Sequence, residues 1–205
     1  MAGMGVAILG IFVADLAFRA ARMPRIGETI AGSGFKLGPG GKGSNQAVAA
    51  ARMGAEVAFI SPIGKGAFGD IALSTWEREG IRPHVAVSED ESTGAAFIYV
   101  DDKTGDNAII VVPGAAAGIA AKDVDEAAEA IRSAAAFITQ LEQPVAAARR
   151  GLEIAKAVGV ITIFNPAPAE PIDDAIYPLC DYVTPNESEA SLLTGIAVSD
   201  LETAR

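Results

Sequence analysis

The chain has 205 residues, 50% of them hydrophobic and 20% charged, with a mean hydropathy of +0.32. It is too apolar and too lightly charged for intrinsic disorder, and long enough to bury a sizeable core. At about 150 residues per domain the length corresponds to roughly 1.4 domains, one ample domain or one with an appendage. With 16 basic and 26 acidic residues the net charge is −10, so the footprint of a general nucleic-acid binder is missing and any phosphate must be held by local donors. One cysteine, Cys180, excludes an internal disulfide and a cysteine-pair metal site and fits a reducing compartment; one histidine, His84, excludes a multi-histidine zinc centre.

The start of the chain, Met1 to Gly5, carries no basic residue, and the apolar run Val6 to Val13 is too short for a membrane span and wrongly flanked for a secretion signal. A cytoplasmic chain with no membrane partner is expected. Val6 to Val13 reads as one strand buried on both faces of a sheet and ending at Ala14-Asp15. Arg19 to Leu37 is Gly-punctuated and lacks helical period, which suggests exposed strands or an excursion from the core. Gly38-Pro-Gly-Gly-Lys-Gly-Ser-Asn45 then feeds a helix from Gln46 to Met53, with Ser44 or Asn45 as its cap and Gly54 as its stop. Ala55 to Ile60 is the next strand, Pro62 to Gly69 a loop, and Asp70 to Glu79 a helix closed by Gly80. His84 is expected at a surface or edge.

Thr93 to Val100 and Asn107 to Val112 are strand-like and flank the polar turn Asp101 to Asp106, as in a hairpin that could pair with the earlier excursion as a small second sheet. Ala115 to Gly118 is an alanine-rich loop. Ala121 to Ser133 is helical, Ala134 to Gln140 a strand ending at Glu142, and Pro144 to Ala157 a helix. Val158 to Phe164 is a strand ending at Asn165, Asp181 to Thr184 a short strand, and Glu187 to Thr194 a helix stopped by Gly195. Cys180 reads as a buried small hydrophobe. Val198 to Arg205 opens another helical pattern and stops within it, which reads as the middle of a fold.

Alternating strands and helices argue for an α/β fold with a mostly parallel sheet and helices on both faces, where ligands bind beyond the carboxyl ends of the strands. Asp15, Glu142, Asn165 and Asn186 occupy such ends and can all make directional hydrogen bonds. Asp15 and Glu142 could accept from paired hydroxyls of a polyol, although either alone could equally be a cap or a solvated carboxylate. Gly38-x-Gly40-x-x-Gly43 matches a dinucleotide fingerprint as a string but lacks the strand that must precede it, and Gly43 after Lys42 rules out a Walker A loop. What remains is a backbone at Gly40 and Gly41 that a ligand can approach closely, with Lys42 and Asn45 as donors at a helix N-terminus. Asn186-Glu-Ser-Glu189 has the spacing of an ordinary capping box; the other reading is a helix start facing phosphate, with Glu189 holding a metal through water.

Together Gly38 to Gly54, Asn165-Pro-Ala-Pro-Ala169 and Thr184-Pro-Asn-Glu-Ser-Glu189 resemble, in order and spacing, the ribokinase group of the PfkB carbohydrate kinase family, and the likeness runs from Val6 to Arg205. The resemblance implies a ribokinase-like fold: a large α/β domain plus a small β-sheet lid, its strands at about 16–40 and 92–113, through which two protomers often pair as a homodimer. It implies transfer of the ATP γ-phosphoryl group to a hydroxymethyl group of ribose or a related sugar, with Mg2+ and, in a complete parent, K+. By position Asp15, Gly41, Lys42, Gly43, Asn45 and Glu142 would bind the sugar, Asn186 the nucleotide, and Glu189 the metal. Val13 stands where the group has an asparagine, which puts ribose itself in doubt. The family's Gly-Ala-Gly-Asp run, which carries the catalytic aspartate, is missing from this chain; the base is expected beyond Arg205, and the chain alone is expected to be inactive. A non-catalytic sugar-binding module and a nucleoside kinase are the alternatives.

Overall fold

The computed structural model describes residues 5–204; the first four residues and Arg205, at the outer ends of the terminal patterns above, lie outside the described residues. In chain order the elements are β1 (Gly5–Leu9), β2 (Val13–Ala20), β3 (Gly34–Gly40), α1 (Lys42–Arg52), β4 (Glu56–Ile60), β5 (Ile63–Gly64), α2 (Ala67–Arg78), β6 (Arg82–His84), β7 (Val87–Ser88), β8 (Thr93–Asp101) and β9 (Asn107–Gly114). There follow α3 (Ala121–Glu126), α4 (Ala128–Arg132), β10 (Ala136–Thr139), α5 (Val145–Ala157), β11 (Ile161–Phe164), β12 (Tyr182–Val183) and α6 (Glu187–Thr194).

Six strands form a parallel sheet in the order β12-β11-β10-β1-β4-β6. The two-residue period of a strand sends Ala7 and Leu9 of β1 to one face, against α3, α4 and α5, and Ile8 to the other, against α1 and α2. This double coverage is why β1 is an unbroken apolar run. On the second face Trp76 is fully buried, edge-on to Phe12 and Phe59 with ring centroids 5.7 and 5.2 Å away.

A second sheet has the order β3-β2-β8-β9. Its middle pair, β2 and β8, is parallel and its outer pairs are antiparallel, so the 21–33 excursion and the Asp101–Asp106 turn lie on the same sheet.

The run Val6 to Val13 is two strands rather than one. The Gly10 amide makes the last bond to the sheet, 3.2 Å to the Ile60 carbonyl, and the chain bends through Ile11 and Phe12 before Val13 pairs with Gly40 and Gly94 in the second sheet. Glycine permits the bend because a Cβ at Gly10 would stand 2.7 Å from the Gly43 Cα. The helix expected over 121–133 is broken at Ala127, whose amide bonds back three residues to Val124 and tightens the turn. Ala115–Gly118 is a 3-10 turn rather than a plain loop, and β5 pairs with β7 inside what reads as loop. Leu201 to Ala204 form a single turn held by the Asp200 carboxylate, not a helix.

His84 lies on the edge strand β6, half-buried; burial, and then Arg82, hold its imidazole below the usual pKa. Cys180 is half-buried against the core, its Sγ 3.4 Å from the Ile176 carbonyl, and burial pushes the thiol up to about 11. Such a thiol is inert.

Trp76→Ala is expected to cost about 3–5 kcal/mol, read as a lower urea midpoint with unchanged slope, because no neighbour can fill the void between Phe12 and Phe59.

Candidate functional site

The first turn of α1 is the floor of the site. The helix begins at Lys42, earlier than Ser44 or Asn45 as cap would place it, and its N-cap is Gly41 at φ 91, with no side-chain cap. Ser44 is turned inward instead, its hydroxyl 3.4 Å from the Trp76 indole nitrogen. The Ser44 amide reaches back 3.3 Å to the Ile11 carbonyl, and a Cβ on Gly41 would collide with that same carbonyl. The leading amide of α1, on Lys42, donates to the Glu142 carboxylate at 2.6 Å. A carboxylate from the loop after β10 thus does the work of the missing cap and meets the positive end of the helix dipole.

Asp15 is the third residue of β2, on the second sheet, not just past the end of β1 as the single-strand reading places it. Its carboxylate lies directly over Gly40, where any side chain would overlap it. Burial raises the Asp15 pKa; burial also raises that of Glu142, opposed by the Lys42 amide and charge and reinforced by Asp15. The two carboxylates therefore feel each other across the α1 N-terminus. Asp15, Gly41, Lys42, Gly43, Asn45 and Glu142 are brought together here: Lys42 and Asn45 have exposed side chains, and Gly43 is buried against Gly10.

Val13, two residues before Asp15 on the same face of β2, is 3% exposed and packs with Ile11, Ala96, Ala116 and Ile98. It contributes an apolar wall beside the carboxylates.

Asn165 follows β11; its side chain donates 2.8 Å to the Thr184 carbonyl and its amide 2.9 Å to the Thr139 carbonyl, so it ties strand ends together. Asn186 and Glu189 lie at the start of α6, beyond β12. They form the capping box in full: the Asn186 side-chain oxygen accepts from the Glu189 amide at 2.8 Å, and Glu189 accepts from the Asn186 amide at 2.8 Å and side-chain nitrogen at 3.0 Å. This end of the sheet is three strands from β1, roughly 14 Å away at about 4.8 Å per strand. Two stations therefore sit along one carboxyl edge.

Mg2+ keeps most of its waters and needs only one or two carboxylates besides phosphate oxygens. Glu189, 9% exposed, spends one lone pair of each oxygen on Asn186 and keeps the others. Among the described residues no group of three or more His, Cys, Asp or Glu could form an all-protein cage. The donor set fits a water-mediated hold on a hydrated ion.

Two contributors escape motif reading. Gly10 is legible in hindsight as a lone glycine inside an apolar run, the usual mark of a bend. Gln140, fully buried just after β10, donates to Gln46 of α1, and nothing in its local sequence marks it.

Residues 5–205 match the profile of the pfkB family carbohydrate kinases. The chain belongs to the PfkB family. It is 39% identical over 198 residues to the ribokinase of Haemophilus influenzae and 40% identical over 201 residues to that of Mus musculus, covering 96% and 97% of this chain. It spans 64% and 62% of the lengths of those two proteins. A structure of Arabidopsis thaliana ribokinase complexed with ribose and ATP superposes with a TM-score of 0.87 at 28% identity, over 99% of this chain and 66% of that one. The α/β architecture with a small extra sheet is that of this family.

Because Asp15 and Glu142 hold their protons more tightly in the folded chain than in the unfolded one, they favour folding most below the ordinary values of 3.8 and 4.5, and that contribution is lost as pH rises through the raised values. Asp15→Asn is accordingly expected to raise the urea midpoint at pH 7, with the difference vanishing below pH 3.8.

Proposed function

We propose that this chain supplies the sugar site and the phosphate-facing helix of an ATP-dependent sugar kinase that phosphorylates a hydroxymethyl group of ribose or a related sugar. The observation that carries the reading is the convergence of two partly desolvated carboxylates, Asp15 and Glu142, on the α1 N-terminus, which no side chain of α1 caps. The relatives named as ribokinases support the substrate class.

In this reading Asp15 and Glu142 accept hydrogen bonds from adjacent hydroxyls and so fix the ring, while Lys42 and Asn45 donate from α1. Glycines at 40, 41 and 43 keep the floor free of side chains, and the Val13 wall excludes water from one side of the ring. Asn186, at the positive end of α6, faces the nucleotide phosphates. Glu189 holds hydrated Mg2+ through water, and that ion neutralises charge developing on the transferred phosphoryl group. No residue of this chain is assigned as the base or to K+: the family's Gly-Ala-Gly-Asp run does not occur in the sequence. The chain alone is therefore expected to bind sugar without turning it over.

The second sheet offers a docking face for a second copy. Its register puts Leu16, Leu37, Phe97 and Ile110 in one row and Phe18 and Phe35 in the next, on the face opposite Asp15. Phe35 is 59% and Ile110 64% exposed. A contiguous apolar patch of this kind is what two identical sheets can bury against each other.

Incubated with ATP, Mg2+ and D-ribose, 2-deoxy-D-ribose, D-fructose or adenosine, the chain should give no phosphorylated product, while calorimetry should detect binding of at least one sugar. Robust turnover would refute the assignment of the base outside these residues, and no binding would refute the sugar site. Adenosine outcompeting every sugar would make the parent a nucleoside kinase. Sedimentation should show a dimer that Phe35→Lys converts to monomer.

A further inference from the structure

Gln140 is fully buried at the sheet's carboxyl edge, between β10 and the Glu142 that meets α1. Its side-chain nitrogen donates to the Gln46 side-chain oxygen on α1. Its own oxygen has no partner and is wedged between two glycines: a Cβ on Gly10 would stand 2.5 Å from it, and one on Gly43 3.0 Å. Gly10 ends the β1 pairing and Gly43 lies in the first turn of α1, so the amide forms the third side of the tightest approach between that helix and the sheet. The loop is braced in turn by Gln143, whose side chain donates 2.6 Å to the Gln140 carbonyl and 2.9 Å to the Thr139 hydroxyl. Two residues past Gln140, Glu142 takes the Lys42 amide. The segment 140–143 thus grips α1 at two heights, at Lys42 in its first turn and at Gln46 just above it.

A buried acceptor without a partner costs stability, and an apolar side chain of the same length would fill the space without that cost. Packing alone does not account for an amide here. We infer that Gln140 is a positioning residue, its amide setting the height at which the first turn of α1 presents Gly41, Lys42 and Asn45 to Asp15 and Glu142. The inference rests on the sugar-site reading above. It assigns Gln140 no contact with the substrate.

The test is Gln140→Met, which keeps the length and removes both the donor and the unpartnered oxygen. Calorimetry with D-ribose, 2-deoxy-D-ribose, D-fructose and adenosine is paired with urea unfolding of the same samples. The expected result is an unfolding midpoint equal to or above wild type together with a Kd about tenfold weaker for whichever of the four binds, the loss that follows when one charged hydrogen bond is misplaced. An unchanged Kd overturns the inference and leaves the sugar site standing. A weaker Kd with a proportionally lower midpoint also overturns it, since the role is then plain stability. If wild type binds none of the four compounds, the sugar reading falls and this inference with it. Should Gln140→Met fail to fold, Gln46→Met decides: it breaks the same amide contact from the half-buried side, and weaker binding at a retained midpoint supports the inference while wild-type binding overturns it.

Discussion

The close approach of α1 to the end of β1 governs the rest of the molecule. Gly10 and Gly43 touch with no room for a side chain on either, so the helix starts lower on the sheet than any other residue pair would allow. Three things follow. The chain must bend at Gly10, which sends β2 out of the parallel sheet and into the second one. The Ser44 amide hangs on the Ile11 carbonyl with Gly41 pressed against it, and the helix starts without a side-chain cap of its own. Glu142 can then reach that start from β10, across the one intervening contact that Gln140 fills.

The same geometry explains why the site is costly. Two carboxylates sit where burial disfavours their charge, and Asp15 adds to the burden on Glu142. Among the described residues no group offsets the burial of Asp15, and Glu142 has only the Lys42 amide and charge for compensation. That is the arrangement expected of groups held ready for an outside partner with hydroxyl donors, and it places stability and binding in opposition at two positions. The start of α6 contrasts with it: Asn186 and Glu189 bond one another three times, so this station is stable in itself and offers leftover lone pairs. A capping box and an outer-sphere metal contact are compatible roles for the same four residues.

The second sheet is two-sided. Asp15, Val13 and Ala96 share the face toward the α1 floor, while Phe18, Phe35, Leu37 and Phe97 share the other. A slip of one residue in β2 would put Ala14 or Leu16 in place of Asp15 and turn the carboxylate to the aromatic face, so the register that places Asp15 over Gly40 also gathers the aromatic face. Site and docking face are consequences of a single alignment.

The sequence by itself determined the α/β class, the order of most elements, the capping box at Asn186 and Glu189 and the end of α6 at Gly195, because buried parallel strands are continuous apolar runs, and caps, glycine and proline punctuate them. It resembled its family through loops whose chemistry is local. Only the tertiary structure decided that Val6 to Val13 is two strands, since the bend comes from Gly43, more than thirty residues away, and not from any neighbour in the chain. It also decided that α1 begins at Lys42: Ser44 and Asn45 are good caps in isolation, but burial of Ser44 against Trp76 and capping by the distant Glu142 outweigh local preference. Gln140 was illegible for the same reason. A buried amide acquires a role from what packs on it, and here its partners come from β1 and α1, segments the sequence keeps far apart.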